Sequence, residues 1–186
     1  MKITETSLPG LLIIEPRVFE DSRGYFFETY QEERYKEGGI KTSFIQDNES
    51  KSVRGVVRGL HYQLAPYAQA KLVRVVEGSV YDVAVDLRKG SPTFGQWFGL
   101  ELDAKSKKQL FLPRGFAHGF SVLSETAVFS YKCDNTYNKD SERAININDP
   151  ELRIDWMLGE TEPVVSEKDL AAPLFSAAEM NFIFEG

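Results

Sequence analysis

The chain has 186 residues, 42% of them hydrophobic and 27% charged, with a formal net charge of −6. That is long enough for one domain with a substantial core and too short for two comfortable ones, and the acidic balance gives no reason to expect nucleic acid as a partner. The single Cys133 excludes an intrachain disulfide framework and fits a reducing cytoplasm, and no stretch approaches the ~20 apolar residues that span a bilayer.

The first ten residues, MKITETSLPG, hold no long apolar run, so neither a secretion signal nor membrane insertion is expected. Downstream, short apolar-rich runs broken by Gly, Pro, Asn and Asp predict strands at Leu11–Glu15 and Gly24–Tyr30. Tyr30–Gly38 is polar, rich in helix formers and followed by Gly38-Gly39, and predicts a short helix. Further strands are predicted at Ser43–Asp47, Val53–Gln63, Lys71–Glu77, Ser79–Leu87, Trp97–Leu102, Gln109–Leu112, His118–Val122 and Ala127–Cys133. Tyr81, Val83, Val85 and Leu87 alternate with Val80, Asp82, Ala84 and Asp86, the period of two that marks a sheet. Glu77-Gly78-Ser79 reads as a tight hairpin and Arg88–Thr93 as a longer turn. Ser166 is placed to cap a short helix, and the tail beyond Leu170 allows another helical turn or two. Many short strands, with no repeat or linker, predict one all-β domain over residues 1–186, a sandwich or barrel with small peripheral helices.

Four segments concentrate polar groups where a strand pattern alone would not put them. Arg23 stands beside Gly24 at a turn, either a solvated arginine or a guanidinium fork offered to a phosphate. Gln46-Asp47-Asn48 leads toward Arg58-Gly59-Leu60-His61-Tyr62-Gln63, which holds one of only two histidines. His61 reads alone as a satisfied strand histidine or as a base. Strict alternation would put Arg58 and His61 on opposite faces, so they share a site only if a bulge intervenes, and Gly59 is the natural place. Lys71 interrupts a β-branched run, and an inward ammonium needs a partner or a task. The fourth segment, Pro113–Phe120, carries His118 between glycines, and farther on come Tyr131, Tyr137, Glu142 and Lys168-Asp169.

Two distant histidines and one cysteine cannot build a three-His or Cys-rich metal site. No Gly-rich phosphate loop or dinucleotide fingerprint is present, and no G-x-S-x-G elbow. Cys133 reads as strand packing or as a thiol without a neighbouring His. Acid–base chemistry by His, Tyr, Lys and carboxylates remains.

The strings RGLHYQ (58–63), KLVR (71–74), GSVYDVAVDLRKGSPTFGQW (78–97), QLFLPRGFAHGF (109–120), YKC (131–133) and SEKD (166–169) resemble the dTDP-4-dehydrorhamnose 3,5-epimerase family, with matching order and spacing from about Ile13 to Pro173. The resemblance implies a cupin-like jelly roll and a homodimer with strands exchanged across its interface. It also implies epimerisation of dTDP-4-dehydro-6-deoxy-D-glucose to dTDP-4-dehydro-β-L-rhamnose, on the way to dTDP-L-rhamnose, with no metal or redox cofactor. It assigns His61 as base, Asp169 as its orienting carboxylate, Tyr131 as proton donor on the opposite face of the sugar and Lys71 as holder of the enolate oxygen. Asp82 ranks below Asp169 as a supporting carboxylate. Phe19, Arg23, Glu28, Gln46, Asn48, Arg58, His118, Tyr137, Glu142 and Lys168 match positions that contact the nucleotide sugar, with Tyr137 stacking in the site and Arg23 and Glu28 serving the partner's pocket. Phe111, Ala144 and Ile147 depart from the usual residues and are expected beside the site. Rival readings are an epimerase acting at C3 or C5 alone, a ketoisomerase on the same fold, and a nucleotide-sugar-binding cupin without turnover.

Overall fold

The computed structural model describes residues 1–185. In chain order the strands are β1 (Lys2–Glu5), β2 (Leu12–Glu15), β3 (Phe19–Asp21) and β4 (Gly24–Phe26). After helix α1 (Glu32–Glu37) come β5 (Gln46–Val53), β6 (Val56–Gln63), β7 (Lys71–Glu77), β8 (Ser79–Asp86) and β9 (Trp97–Asp103). Then follow β10 (Gln109–Leu112), β11 (Phe116–Val122), β12 (Thr126–Cys133), β13 (Glu142–Ala144), β14 (Val164–Val165) and the short helix α2 (Glu167–Leu170). One sheet runs β1-β2-β10-β7-β12-β5 and the other β13-β6-β11-β8-β9, with β14 added alongside β6, while β3 and β4 form a separate hairpin. The expected jelly roll is the fold.

Alternation along each strand builds three apolar layers. Val73, Val75, Leu110, Leu112 and Phe129 of the first sheet meet Val80, Ala84, Leu102, Phe116 and Phe120 of the second. On the far face of the second sheet, Val57, Leu60, Val83 and Val85 lie beneath Ile145, Leu152, Trp156, Phe175 and Phe182 of the C-terminal third. On the far face of the first, Ile14, Leu72 and Phe111 are covered by Tyr35 of α1 and Ile40. Each fully buried Val, Leu, Ile or Phe among them contributes roughly 1.5–3 kcal/mol.

Several expectations are corrected. Glu77-Gly78-Ser79 is a tight turn but not a hairpin: β7 and β8 belong to different sheets, so Gly78 carries the chain across the sandwich. It needs glycine because φ is +77° and a Cβ would collide with the Thr126 carbonyl. The predicted strand Val53–Gln63 is two strands, β5 and β6, separated at Arg54-Gly55. β5 begins at Gln46, not Ser43, and is almost entirely polar, which an apolar pattern does not reveal. The run after Gly24 leaves strand geometry at Phe26. Among the described residues no helix is long and apolar enough to cross a membrane.

Candidate active site

At one end of the sandwich the inward positions turn from apolar to polar. Gln46, Asn48, His61, Gln63, Lys71, Tyr131, Cys133, Tyr137 and Glu142 line a cleft of about 190 Å³. His61 comes from β6 of the second sheet, whereas Lys71 and Tyr131 come from the adjacent strands β7 and β12 of the first.

The bulge that Arg58 and His61 require is present. Across β6 and β11, His61 pairs with His118 and Arg58 with Phe120, so three steps on β6 span two on β11. Gly59 sits in this irregularity at φ +134°, and a Cβ there would fall 2.6 Å from the Gly119 Cα. Arg58 and His61 therefore border a common groove with Lys168 and Asp169. The Arg58 Nε donates to Ser52 Oγ at 3.0 Å.

His61 Nε2 lies 2.7 Å from Asp169 Oδ1. Asp169 is delivered by α2, whose N-cap Ser166 accepts the Asp169 N–H, and α2 is hung beside β6 through the β14 pairing. Burial pushes the Asp169 carboxyl up, but the His61 hydrogen bond and charge, with Ser166 and the Gly59 N–H, outweigh it and hold the group below its ordinary value. With Nε2 committed to Asp169, the other ring nitrogen is left for the cleft.

Lys71 points inward, the case in which an ammonium needs a partner or a task, and among the described residues it makes no ion pair within 4 Å. Burial lowers its pKa, against the pull of Cys133, Asp82 and Glu142. Its Nζ stands 5.8 Å from the Tyr131 ring centroid. Burial raises the Tyr131 phenol, with Arg58 acting the other way, so the hydroxyl stays protonated at neutral pH.

At the rim, Glu142 Oε2 accepts from Lys168 Nζ at 2.6 Å and from the Tyr137 hydroxyl at 3.1 Å. Gln46 Nε2 donates to Asn48 Oδ1 at 3.0 Å. His118 is buried behind this wall, its Nε2 2.9–3.0 Å from both oxygens of Asp82 and its ring stacked on Phe129. Phe19, Arg23 and Glu28 are not brought to the cleft. Arg23 is paired with Asp21 in the exposed β3–β4 hairpin, Phe19 lies beneath the Arg17 guanidinium, and Glu28 is paired with Arg34. Of the departures expected beside the site, Ala144 does sit opposite His61, but Phe111 and Ile147 pack in the outer cores.

Sequence reasoning missed Gln63, Gln69 and the placement of Cys133 on the cleft wall. For Gln63 the signal was available, since it follows His61 by two residues on the same strand. Among the described residues no three of His, Cys, Asp and Glu gather as a metal-binding group.

The model of the dTDP-4-dehydrorhamnose 3,5-epimerase family matches residues 5–177. The chain is 53% identical over 180 residues to a protein of that name from Pseudomonas aeruginosa, covering 96% of this chain and 98% of the relative. A crystal structure of a dTDP-4-dehydrorhamnose 3,5-epimerase from Elizabethkingia anophelis is similar at 58% identity and TM-score 0.90, covering 95% of this chain and 97% of that one. A dTDP-6-deoxy-D-glucose-3,5-epimerase from Legionella pneumophila, in complex with dTDP-4-keto-L-rhamnose, is similar at 51% identity and TM-score 0.91, covering 95% and 93%.

Proposed function

The chain belongs to the dTDP-4-dehydrorhamnose 3,5-epimerase family, and from that premise we propose that it inverts C3 and C5 of dTDP-4-dehydro-6-deoxy-D-glucose with His61 as the base. The observation that carries this reading is the origin of the two proton-transfer groups: His61 and Tyr131 line one cleft from opposite sheets. Epimerisation needs a proton removed from one face of a carbon and returned to the other, which two opposed walls supply.

A C–H bond beside a ketone is acidic because its carbanion delocalises into an enolate. His61 takes the proton, and Asp169 fixes the ring orientation and stabilises the imidazolium that forms. Lys71, with no carboxylate claiming its charge, faces the negative charge that develops on the C4 oxygen, where a fixed cation acts most strongly in the transition state. Tyr131, kept protonated by burial, gives a proton back from the opposite side.

Arg58, Gln46, Asn48, Glu142 and Lys168 serve the nucleotide sugar, His118 backs their wall from its buried pair with Asp82 rather than lining the cleft, and Tyr137 stacks on the base. The β3–β4 hairpin supports a homodimer. Two strands alone are marginal in water, and this hairpin leaves Phe19, Tyr25 and Phe26 exposed. Docked on a second copy, it would bring Phe19, Arg23 and Glu28 to the partner's cleft. We place the enzyme in the cytoplasm, acting as one domain over the whole chain.

The test is turnover in D₂O followed by NMR. Deuterium at both C3 and C5 is expected; deuterium at C3 alone or C5 alone overturns double inversion, and no exchange overturns catalysis.

A further inference from the structure

Tyr137 is the most exposed of the aromatic residues that line the cleft, so little packing holds it. The residue is 57% exposed, and residues 134–138 belong to no strand or helix. Its hydroxyl reaches Glu142, which anchors the ring's far end but not its backbone. The peptide groups on either side of Tyr137 are held by Gln63. Gln63 Oε1 accepts the Asn138 N–H at 2.7 Å, and Nε2 donates to the Thr136 carbonyl at 3.2 Å. The same Nε2 donates to the Tyr67 carbonyl at 2.6 Å, in the loop that follows β6.

This amide can sit in only one orientation. Reversed, Nε2 would face an N–H and Oε1 would face two carbonyls, three repulsions in place of three hydrogen bonds. Gln63 is 5% exposed, so water cannot readily replace these contacts. It also stands two residues beyond His61 on β6, its side chain on the same side of the strand. The strand that carries the base thus carries the group that fixes the aromatic rim.

We propose that Gln63 is a positioning residue that sets the Tyr137 ring over the cleft, and through it the affinity for the nucleotide, without entering proton transfer. The inference rests on the reading of Tyr137 as the base-stacking aromatic. Gln63→Glu is nearly isosteric and keeps the acceptor for Asn138, but turns an oxygen toward two carbonyls. Gln63→Met keeps the bulk and loses all three hydrogen bonds.

The experiment measures dTDP affinity by calorimetry, and kcat for proton exchange at saturating substrate, for both variants, for Tyr137→Ala and for each double variant. Each Gln63 variant is expected to weaken dTDP binding and raise KM about 10-fold, with kcat within about threefold of wild type. In the Tyr137→Ala background the same change should add almost nothing. Losses that multiply in the double variants overturn the inference while leaving stacking intact, and so does a fall in kcat in both Gln63 variants. Unchanged affinity in Tyr137→Ala alone overturns stacking, and the inference with it.

Discussion

Two histidine–carboxylate pairs stand next to each other on neighbouring strands. His61 and His118 are register partners across β6 and β11, and each holds a carboxylate through Nε2. The His61 side chain is 35% exposed and its Asp169 arrives from α2, outside the sheet. The His118 side chain is 8% exposed, and its Asp82 lies on the adjoining strand β8 with none of its side chain exposed. The residue types and the bond are the same, so chemistry alone does not separate a base from a buried anchor. Access does: a base must reach the proton it takes, and His61 is the histidine on the cleft wall.

The largest test of this contrast is His61→Asn. Solvent-deuterium exchange into the sugar should fall about 10²–10⁴-fold, the usual weight of a general base, while dTDP binding stays within a few-fold. If exchange survives, His61 is not the base and the contrast collapses. Next comes Asp169→Asn, which keeps the shape but offers the ring an amide where a carboxylate was. We expect kcat to drop by about 10²-fold with KM little changed, because the imidazolium loses its countercharge and the tautomer its anchor. A drop confined to KM would mean that Asp169 serves binding instead.

The contrast was partly legible in the sequence. The bulge at Gly59 followed from the conflict between Arg58, His61 and a period of two, and the Asp169 pairing followed from the family motif SEKD. Which sheet each strand joins was not legible. Glu77-Gly78-Ser79 has the composition of a hairpin, and only packing decides that β7 and β8 part company there. β5 escaped for a related reason: its inward positions Gln46, Asn48, Ser50 and Ser52 face the polar end of the sandwich and the Arg58 side chain rather than an apolar core, so the hydrophobic pattern that signals a strand is missing. The place of Gln63 on the cleft strand was open to reading from its spacing to His61, but its partners were not, because they are main-chain groups in loops that no periodicity marks.

A smaller effect, on stability rather than rate, probes the buried pair. Asp82→Ala leaves the His118 Nε2 without its partner inside the sandwich, a loss of about 1–3 kcal/mol. For a chain of this size each kcal/mol lowers Tm by about 2–4 °C, so calorimetry should show a fall of several degrees. His61→Asn, at the accessible pair, should shift Tm by less. If the two shifts are equal, the pairs do not differ in the way their exposure implies.

The smallest effect concerns the pH dependence of stability at the accessible pair. Asp169 titrates below its ordinary 3.8 in the folded chain, because its contacts with His61, Ser166 and Gly59 outweigh burial. Between the folded and unfolded values the unfolded chain binds more protons, so stability rises with pH in that window. The carboxylate's contribution is therefore complete above the unfolded value and is lost as pH falls through the folded one. Asp169→Asn lacks this contribution at every pH, so the gap in Tm between wild type and variant should narrow as pH is lowered from about 5 to about 3. A gap that stays constant would mean that Asp169 supports His61 as a neutral hydrogen-bond acceptor would, and that charge is not what sets the accessible pair apart.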